Sequence, residues 1–401
     1  MDTSDPYDLR GSALMITMQP GILATTDALE TPALLLNESR MIRNIARLRE
    51  HLSKLGPRLR PHLKTSKCLE AARLVMDSPA GPATVSTLKE AEQFAAGGVR
   101  DILYSVGITP NKLDRVTALR RRNIDLSIVV DSIEAAQAVA RHARATGEKI
   151  PTLIEIDSDG HRAGVRRSHA SLLIEIGRIL HEGSAELRGV MTHAGESYHC
   201  RDSEAIAAMA EQERVEAVGC AFLLSAAGLP APVVSVGSTP TAHFSRDLTG
   251  VTEVRAGVFV FFDLFMAGLG VCAIDDIALS VLATVIGHEA EKGWILVDAG
   301  WMAMSSDRST SSQSVDQKYG LVCDADGNPY PDLVMVQANQ EHGILALRPH
   351  SSAPLPELPV GTIVRILPNH ACATGAQHDH YNVIRTGSRQ IHAVWPRFNG
   401  W

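Results

Sequence analysis

No CxxC pair occurs among the six cysteines, Cys68, Cys200, Cys220, Cys272, Cys323 and Cys372. A chain of 401 residues does not depend on disulfide staples for its core. No apolar run reaches the roughly 18–20 residues that span a bilayer. Residues 1–19 carry Asp2, Asp5 and Asp8 and lack a basic segment followed by an apolar one, so they do not read as a secretory signal. Positive charge is not in excess: the formal net charge is −7, which speaks against a nucleic-acid partner. The one short basic run, Arg120 to Arg122, reads as a solvated helix end. The Walker loop, HExxH, GxSxG and GxGxxG are all missing, which removes several common enzyme classes. These absences leave a cytoplasmic globular protein, without membrane or nucleic-acid partners, as the expectation.

What is present is an alternation. Short apolar runs at 59–65, 83–88, 102–106, 126–131, 152–157, 187–193, 233–238 and 252–261 are strand candidates. Amphipathic stretches lie between them, at 87–98, 110–121, 132–146, 167–181 and 203–227. Strands at this spacing, separated by helices, imply parallel βαβ units, and eight of them fit a closed (β/α)8 barrel. After about residue 270 helical periodicity fades. Strand-like runs follow at 279–287, 293–298, 333–337, 344–348, 362–368, 381–385 and 391–395, with turns rich in Gly, Pro, Asp and Asn. An antiparallel β domain is expected there, with a long polar loop at 305–319. The run 33–36 is surplus to the barrel and is free to pair with that domain. The expected division is therefore an N-terminal segment, 1–37, joining the β domain, a barrel over 38–268 and the β domain over 269–401.

Active sites of such barrels lie at the C-terminal ends of the strands. Lys64, in RPHLKT, sits at that end of the first strand, among apolar residues and beside His62. A lysine there suits a nucleophile, and equally a side chain that snorkels to solvent. In LPNHACAT, an extended segment would point His370 and Cys372 to the same side, because the strand period is two. Imidazole and thiolate both ligate zinc, although a buried cysteine beside a hydrogen-bonded histidine has the same pattern. The segments VGSTPT, with Gly237, Ser238 and Thr239, and RAG, with Gly257, fall at strands seven and eight, where barrels often bind phosphate. DSDGHRAG at 157–164 lacks the distal glutamate of a calcium loop. Its Arg162 could face a ring nitrogen of a cofactor or form a surface salt bridge. His193 and Tyr198, in THAGESY, are candidate polar groups close to a substrate.

The ordered motifs RPHLKTSK (60–67), VSTLKEAEQF (85–94), DGHRAGV (159–165), VSVGSTPTA (234–242), VTEVRAG (251–257), ANQEHGIL (338–345) and LPNHACATGAQ (367–377) extend over nearly the whole chain. Together they resemble the D-threonine aldolase and D-serine dehydratase group of fold-type III pyridoxal-phosphate enzymes, whose barrel is shared with alanine racemase. The resemblance implies pyridoxal 5'-phosphate held as a Schiff base by Lys64 rather than Lys67. It implies Arg162 at the pyridine nitrogen, Gly237, Ser238 and Gly257 at the phosphate, and His370 and Cys372 on a divalent metal. Zinc is the expected metal, with manganese, cobalt or magnesium as alternatives. Thr239, His62 and Tyr198 complete the expected cofactor contacts, and His193 joins Lys64 as a catalytic candidate. The aldolase branch resembles HxD at the metal site and the dehydratase branch HxC. A dehydratase of D-β-hydroxy amino acids is therefore implied, with retro-aldol cleavage as the alternative. The resemblance also implies a homodimer.

Overall fold

The computed structural model describes residues 24–401. Residues 1–23, and with them most of the segment expected to join the β domain, lie outside the described residues.

Strand β1 (Ala33–Asn37) leads into α1 (Glu38–Leu55), capped by the Asn37 side chain on the Arg40 amide. The barrel strands follow in turn: β2 (Arg58–Leu59), β3 (Ala83–Val85), β4 (Asp101–Gly107), β5 (Asp125–Val130), β6 (Pro151–Ile156), β7 (Glu186–Thr192), β8 (Val233–Val236) and β9 (Glu253–Val254). Between them run α2 (Leu69–Val75), α3 (Leu88–Ala96), α4 (Leu113–Arg120), α5 (Ile133–Thr146), α6 (Ala170–Glu182), α7 (Ser203–Ala226) and α8 (Thr239–Phe244). Side-chain caps start several of these helices: Thr87 on Glu90 N, Ser132 on Ala135 N and Asp202 on Ala205 N. All pairings in the order β2-β9-β8-β7-β6-β5-β4-β3 are parallel. The ring closes past the end of β2, where Leu63 N donates to Thr84 O at 2.8 Å and Thr84 N donates to Pro61 O at 2.8 Å.

The barrel interior is layered. Its middle is apolar, built from Leu103, Val129, Leu153 and Met191. Beneath that lies an ionic layer. Arg60 donates to Glu253 at 2.8 Å and to Asp101 at 2.7 Å, and Arg188 donates to Asp125 at 2.8 Å. The Glu253 side chain is 1 % exposed, and its charge rests chiefly on buried Arg60, with half-exposed Arg58 at 3.0 Å as a second partner. An Arg60→Ala substitution leaves that carboxylate without its close buried partner and is expected to cost about 3–5 kcal/mol of stability. A lowered thermal midpoint by calorimetry checks this.

Helix α9 (Leu264–Gly268) joins the barrel to the second sheet. That sheet comprises β10 (Leu279–Glu289), β11 (Trp294–Val297), β12 (Leu321–Cys323), β13 (Pro329–Ala338), β14 (Gly343–Leu347), β15 (Ile363–Leu367), β16 (His380–Ile384) and β17 (Ala393–Pro396), with the short helices α10 (Trp301–Met304) and α11 (Ala371–Gly375). Its order is β11-β14-β13-β12-β15-β10-β1-β16-β17. Strand β1 is inserted between β10 (antiparallel) and β16 (parallel). The polar loop at 305–319 contains one 3-10 turn, Ser309–Ser312. Buried Asn369 holds it down: its amide nitrogen donates to Asp307 O and Lys318 O, and its oxygen accepts from Thr310 Oγ1. The backbone carbonyls of Pro368 and Asn369 accept from Leu264 N and Phe265 N. The end of β15 is thereby fixed against the mouth of the barrel.

Candidate active site

A cavity of about 410 Å³ opens at the C-terminal ends of the barrel strands, a size that holds a cofactor and a small substrate. Its walls bring together every residue singled out from the sequence: His62, Lys64, Arg162, His193, Tyr198, Gly237, Ser238, Thr239, Gly257, His370 and Cys372. Lys64 lies in the turn just after β2, and its side chain is exposed to the cavity rather than packed among apolar residues. Lys67 is engaged elsewhere, 3.3 Å from the Glu90 carboxylate.

His62 is placed by Ser86 Oγ and Ser105 Oγ, each 3.2 Å from its Nε2. Burial, reinforced by the charges of Lys64 and Arg255, holds it neutral. His193 Nδ1 lies 3.0 Å from the Gly237 carbonyl, which accepts its proton and leaves the Nε2 lone pair free. Burial pushes the His193 pKa down to about 3, so it is an unprotonated base at neutral pH. Arg162 is 3.6 Å from Glu155, with its side chain 57 % exposed. A second guanidinium, Arg255, is buried in the cavity wall and donates to Ser235 Oγ at 3.1 Å and to Thr192 O.

The phosphate-type segments have the features of a cradle. Gly237 adopts φ +134°, and a Cβ there would sit 2.1 Å from Arg255 O, so only glycine fits. Ser238 caps α8 through the Thr241 amide. Thr239 Oγ1 is buried on the cavity wall without a hydrogen-bond partner, and an anion is a suitable acceptor for it. Glu213 on α7 supports the cradle from behind, accepting from Ala194 N at 3.0 Å, Gly237 N at 2.8 Å and Thr241 Oγ1 at 2.9 Å. On α8, His243 Nδ1 lies 2.9 Å from Thr239 O. Burial lowers the His243 pKa from its ordinary 6.5 to about 4. Unfolding therefore takes up a proton at His243 between those values, and the fold loses stability as pH falls from about 6.5 to about 4. A shift of that size corresponds to about 3 kcal/mol. Denaturant titrations across that range should show a shallower slope for His243→Gln.

His370 and Cys372 do not lie on one extended strand. His370 is extended (φ −135°, ψ 107°) and serves as N-cap, while Cys372 belongs to the single helical turn α11. The turn, not a strand period, brings the pair together, because buried Asp263 binds Ala371 N at 3.0 Å and Met266 N at 2.9 Å. The two side chains interact electrostatically, and Thr65 Oγ1 lies 3.2 Å from Cys372 Sγ. Burial opposes charge on both. Mutual attraction overrides it, lowering the thiol and raising the imidazole. Asp307 stands 3.3 Å from His370 Nδ1, orienting the ring as a carboxylate orients a metal-ligating histidine. A thiolate and an oriented imidazole, open to a cavity, form a donor set that fits a divalent metal. His378 and His380 do not join it: His378 Nε2 is turned to Ala303 O, and His380 is paired with Asp379.

Asp263, Asp307, Glu213, Thr65 and Arg255 were not singled out from the sequence as supports of the site. Arg255 stood in a motif read only for its glycine. Thr65 likewise stood in a motif read for Lys64, and all but Arg255 take their meaning from partners 19 to 307 positions away.

Among the described residues no helix is long and apolar enough to cross a membrane. The alanine racemase N-terminal domain model matches residues 36–264, and a putative serine dehydratase domain model matches residues 278–384. The chain is 55% identical over 377 residues to the D-threo-3-hydroxyaspartate dehydratase of Delftia sp. (strain HT23), covering 93% of this chain and 98% of that one. It is 30% identical to the D-serine dehydratase of Dictyostelium discoideum, covering 92% and 96%. A solved D-threo-3-hydroxyaspartate dehydratase, a cysteine-to-alanine variant in the metal-free form, superposes with a TM-score of 0.91 at 53% identity, over 94% of this chain and all of that one. The chain thus belongs to the alanine-racemase-like family of pyridoxal-phosphate lyases that carries a serine dehydratase domain and includes these dehydratases.

Proposed function

We propose that the protein dehydrates D-β-hydroxy-α-amino acids, D-threo-3-hydroxyaspartate or D-serine, to a 2-oxo acid and ammonia. The barrel, 38–268, supplies the cofactor site, and the β domain, 269–401, supplies a zinc site at His370 and Cys372. The observation that carries this is the convergence of Lys64, Thr239, His370 and Cys372 on one cavity.

When bound, pyridoxal phosphate supplies an electron sink at Cα, and the metal supplies a Lewis acid for the departing β-hydroxyl. The protein's side chains do the rest. Lys64 anchors the cofactor and moves the Cα proton from one face of the substrate, which suits a D-configured centre. Thr239, with Gly237, Ser238 and Gly257, holds the phosphate. Arg162 and His62 flank the ring, and Tyr198 closes the wall beside His193 at a ring separation of 6.1 Å. His193, neutral and hydrogen-bonded through Nδ1, offers Nε2 as a base or relay near the hydroxyl. The HxC form is the one that the resemblance associates with the dehydratase branch, which supports elimination over retro-aldol cleavage.

Incubating the holoenzyme with D-threo-3-hydroxyaspartate and with D-serine tests the proposal. Ammonia and 2-oxo acid in equal amounts are expected. Glycine plus an aldehyde would assign the retro-aldol reaction instead, and neither product set would sink both readings. Elemental analysis decides between zinc and manganese, cobalt or magnesium. A homodimer is also part of the proposal. Trp301 and Met302, 39 % and 42 % exposed on α10, are apolar surface beside the metal arm that suits a second copy. Light scattering should give twice 43.1 kDa.

A further inference from the structure

We propose that His161, Glu196 and His199 form a second divalent-metal site, distinct from His370 and Cys372, on the wall of the same cavity. One ligand atom from each of the three lies within 4.8 Å of the others. His161 Nδ1 is 2.9 Å from Glu196 Oε1, and His199 Nδ1 is 3.1 Å from Glu196 Oε2. In a tetrahedral zinc site with bonds of about 2.0–2.1 Å, neighbouring ligand atoms are roughly 3.3 Å apart. The two imidazole–carboxylate separations are within a few tenths of an ångström of that spacing, and the imidazoles, now on different carboxylate oxygens with ligand atoms within 4.8 Å, close around an ion that replaces the two hydrogen-bonding protons.

The cluster is held from behind. One carboxylate, Asp159, fixes the backbone of two of the three residues: Oδ1 accepts from His161 N at 3.1 Å and Oδ2 from Glu196 N at 2.9 Å. These residues come from two separate segments, the loop after β6 and the 3-10 turn Gly195–His199 after β7. Gly195 lets them meet. A Cβ there would lie 2.1 Å from His161 Cδ2, so any side chain would push the imidazole off the turn. The side chains of His161, Glu196 and His199 are 35 %, 39 % and 63 % exposed, which leaves solvent free to fill the remaining coordination positions.

Two imidazoles and one carboxylate are a donor set for zinc and its neighbours rather than for calcium or magnesium, and three protein ligands leave a position open. The ion would tie two cavity-wall segments together. Because it binds the folded chain and not the unfolded one, it raises thermal stability.

Metal content after dialysis of the holoenzyme against zinc and then metal-free buffer, in a non-chelating reductant, tests the site. Wild type is expected to hold two zinc ions per chain, and His199→Ala and Glu196→Gln one each. In a Cys372→Ala background, zinc is expected to raise the thermal midpoint, and adding His199→Ala should remove that shift. Wild type holding a single ion, or His199→Ala and Glu196→Gln both losing none, would overturn the proposal and leave a hydrogen-bonded trio only. Cys372→Ala retaining full metal would instead count against the His370–Cys372 assignment, while the His199 and Glu196 variants still decide the second site.

Discussion

Lys64→Ala is expected to abolish turnover, lowering kcat by about 10⁴-fold or more, since in the proposed mechanism one amine both anchors the cofactor and moves the Cα proton. The near-visible absorbance of a lysine-bound cofactor should vanish from the purified variant. The fold should be undisturbed, because Lys64 is exposed to the cavity at the end of its turn and carries no buried packing. Lys67→Ala serves as the comparison. Its ammonium is spent on Glu90, so that variant should lose stability rather than the absorbance. If the Lys64 variant kept the absorbance and the Lys67 variant lost it, the cofactor assignment would move by three residues.

The second large effect concerns the metal arm. Cys372→Ala is expected to lower kcat by about 10³-fold, the several kcal/mol that a Lewis acid supplies to a poor leaving group. Cofactor content should stay intact. Treatment with a chelator should reproduce the loss in wild type, and added zinc should restore it there but not in the variant. Asp307→Asn should fall between, with metal affinity weakened by about 10–100-fold, because the carboxylate orients His370 without ligating. A Cys372→Ala enzyme with full activity and metal content would end the metal assignment.

The sequence was most legible where one physical signal acted alone. Each barrel strand is a short apolar run, most of them separated by helical periodicity, and all eight runs overlap an observed strand or its bridge. The run at 33–36 pairs inside the second sheet, because a strand with no place in the barrel still has backbone groups to satisfy. Legibility failed where local and distant signals compete. Strand β12 spans three residues, too short to show alternation. Helix α1 went unread, although its buried residues Met41, Ile45, Leu48 and Leu52 recur at helical spacing. HACAT carries no helix signal of its own; its turn is imposed by Asp263, 108 positions upstream of Ala371. The candidate phosphate loops were assigned by strand counting, whereas the proposed roles of His370 and Cys372 rested on family resemblance.

The insertion of β1 between β10 and β16 has a consequence for synthesis on the ribosome. Residues Ala33–Asn37 emerge early but acquire one neighbouring strand only when Leu279–Glu289 has been made, and the other only with His380–Ile384. The barrel's own strand pairings need nothing beyond Ala256. A nascent chain can therefore assemble the barrel wall that carries Lys64 while β1 waits, and His370 and Cys372 emerge only after every barrel strand has been made. Growth of the chain thus orders the two halves of the cavity, so a ribosome stalled near residue 270 would carry the Lys64 wall without the His370 and Cys372 wall that the proposed elimination requires.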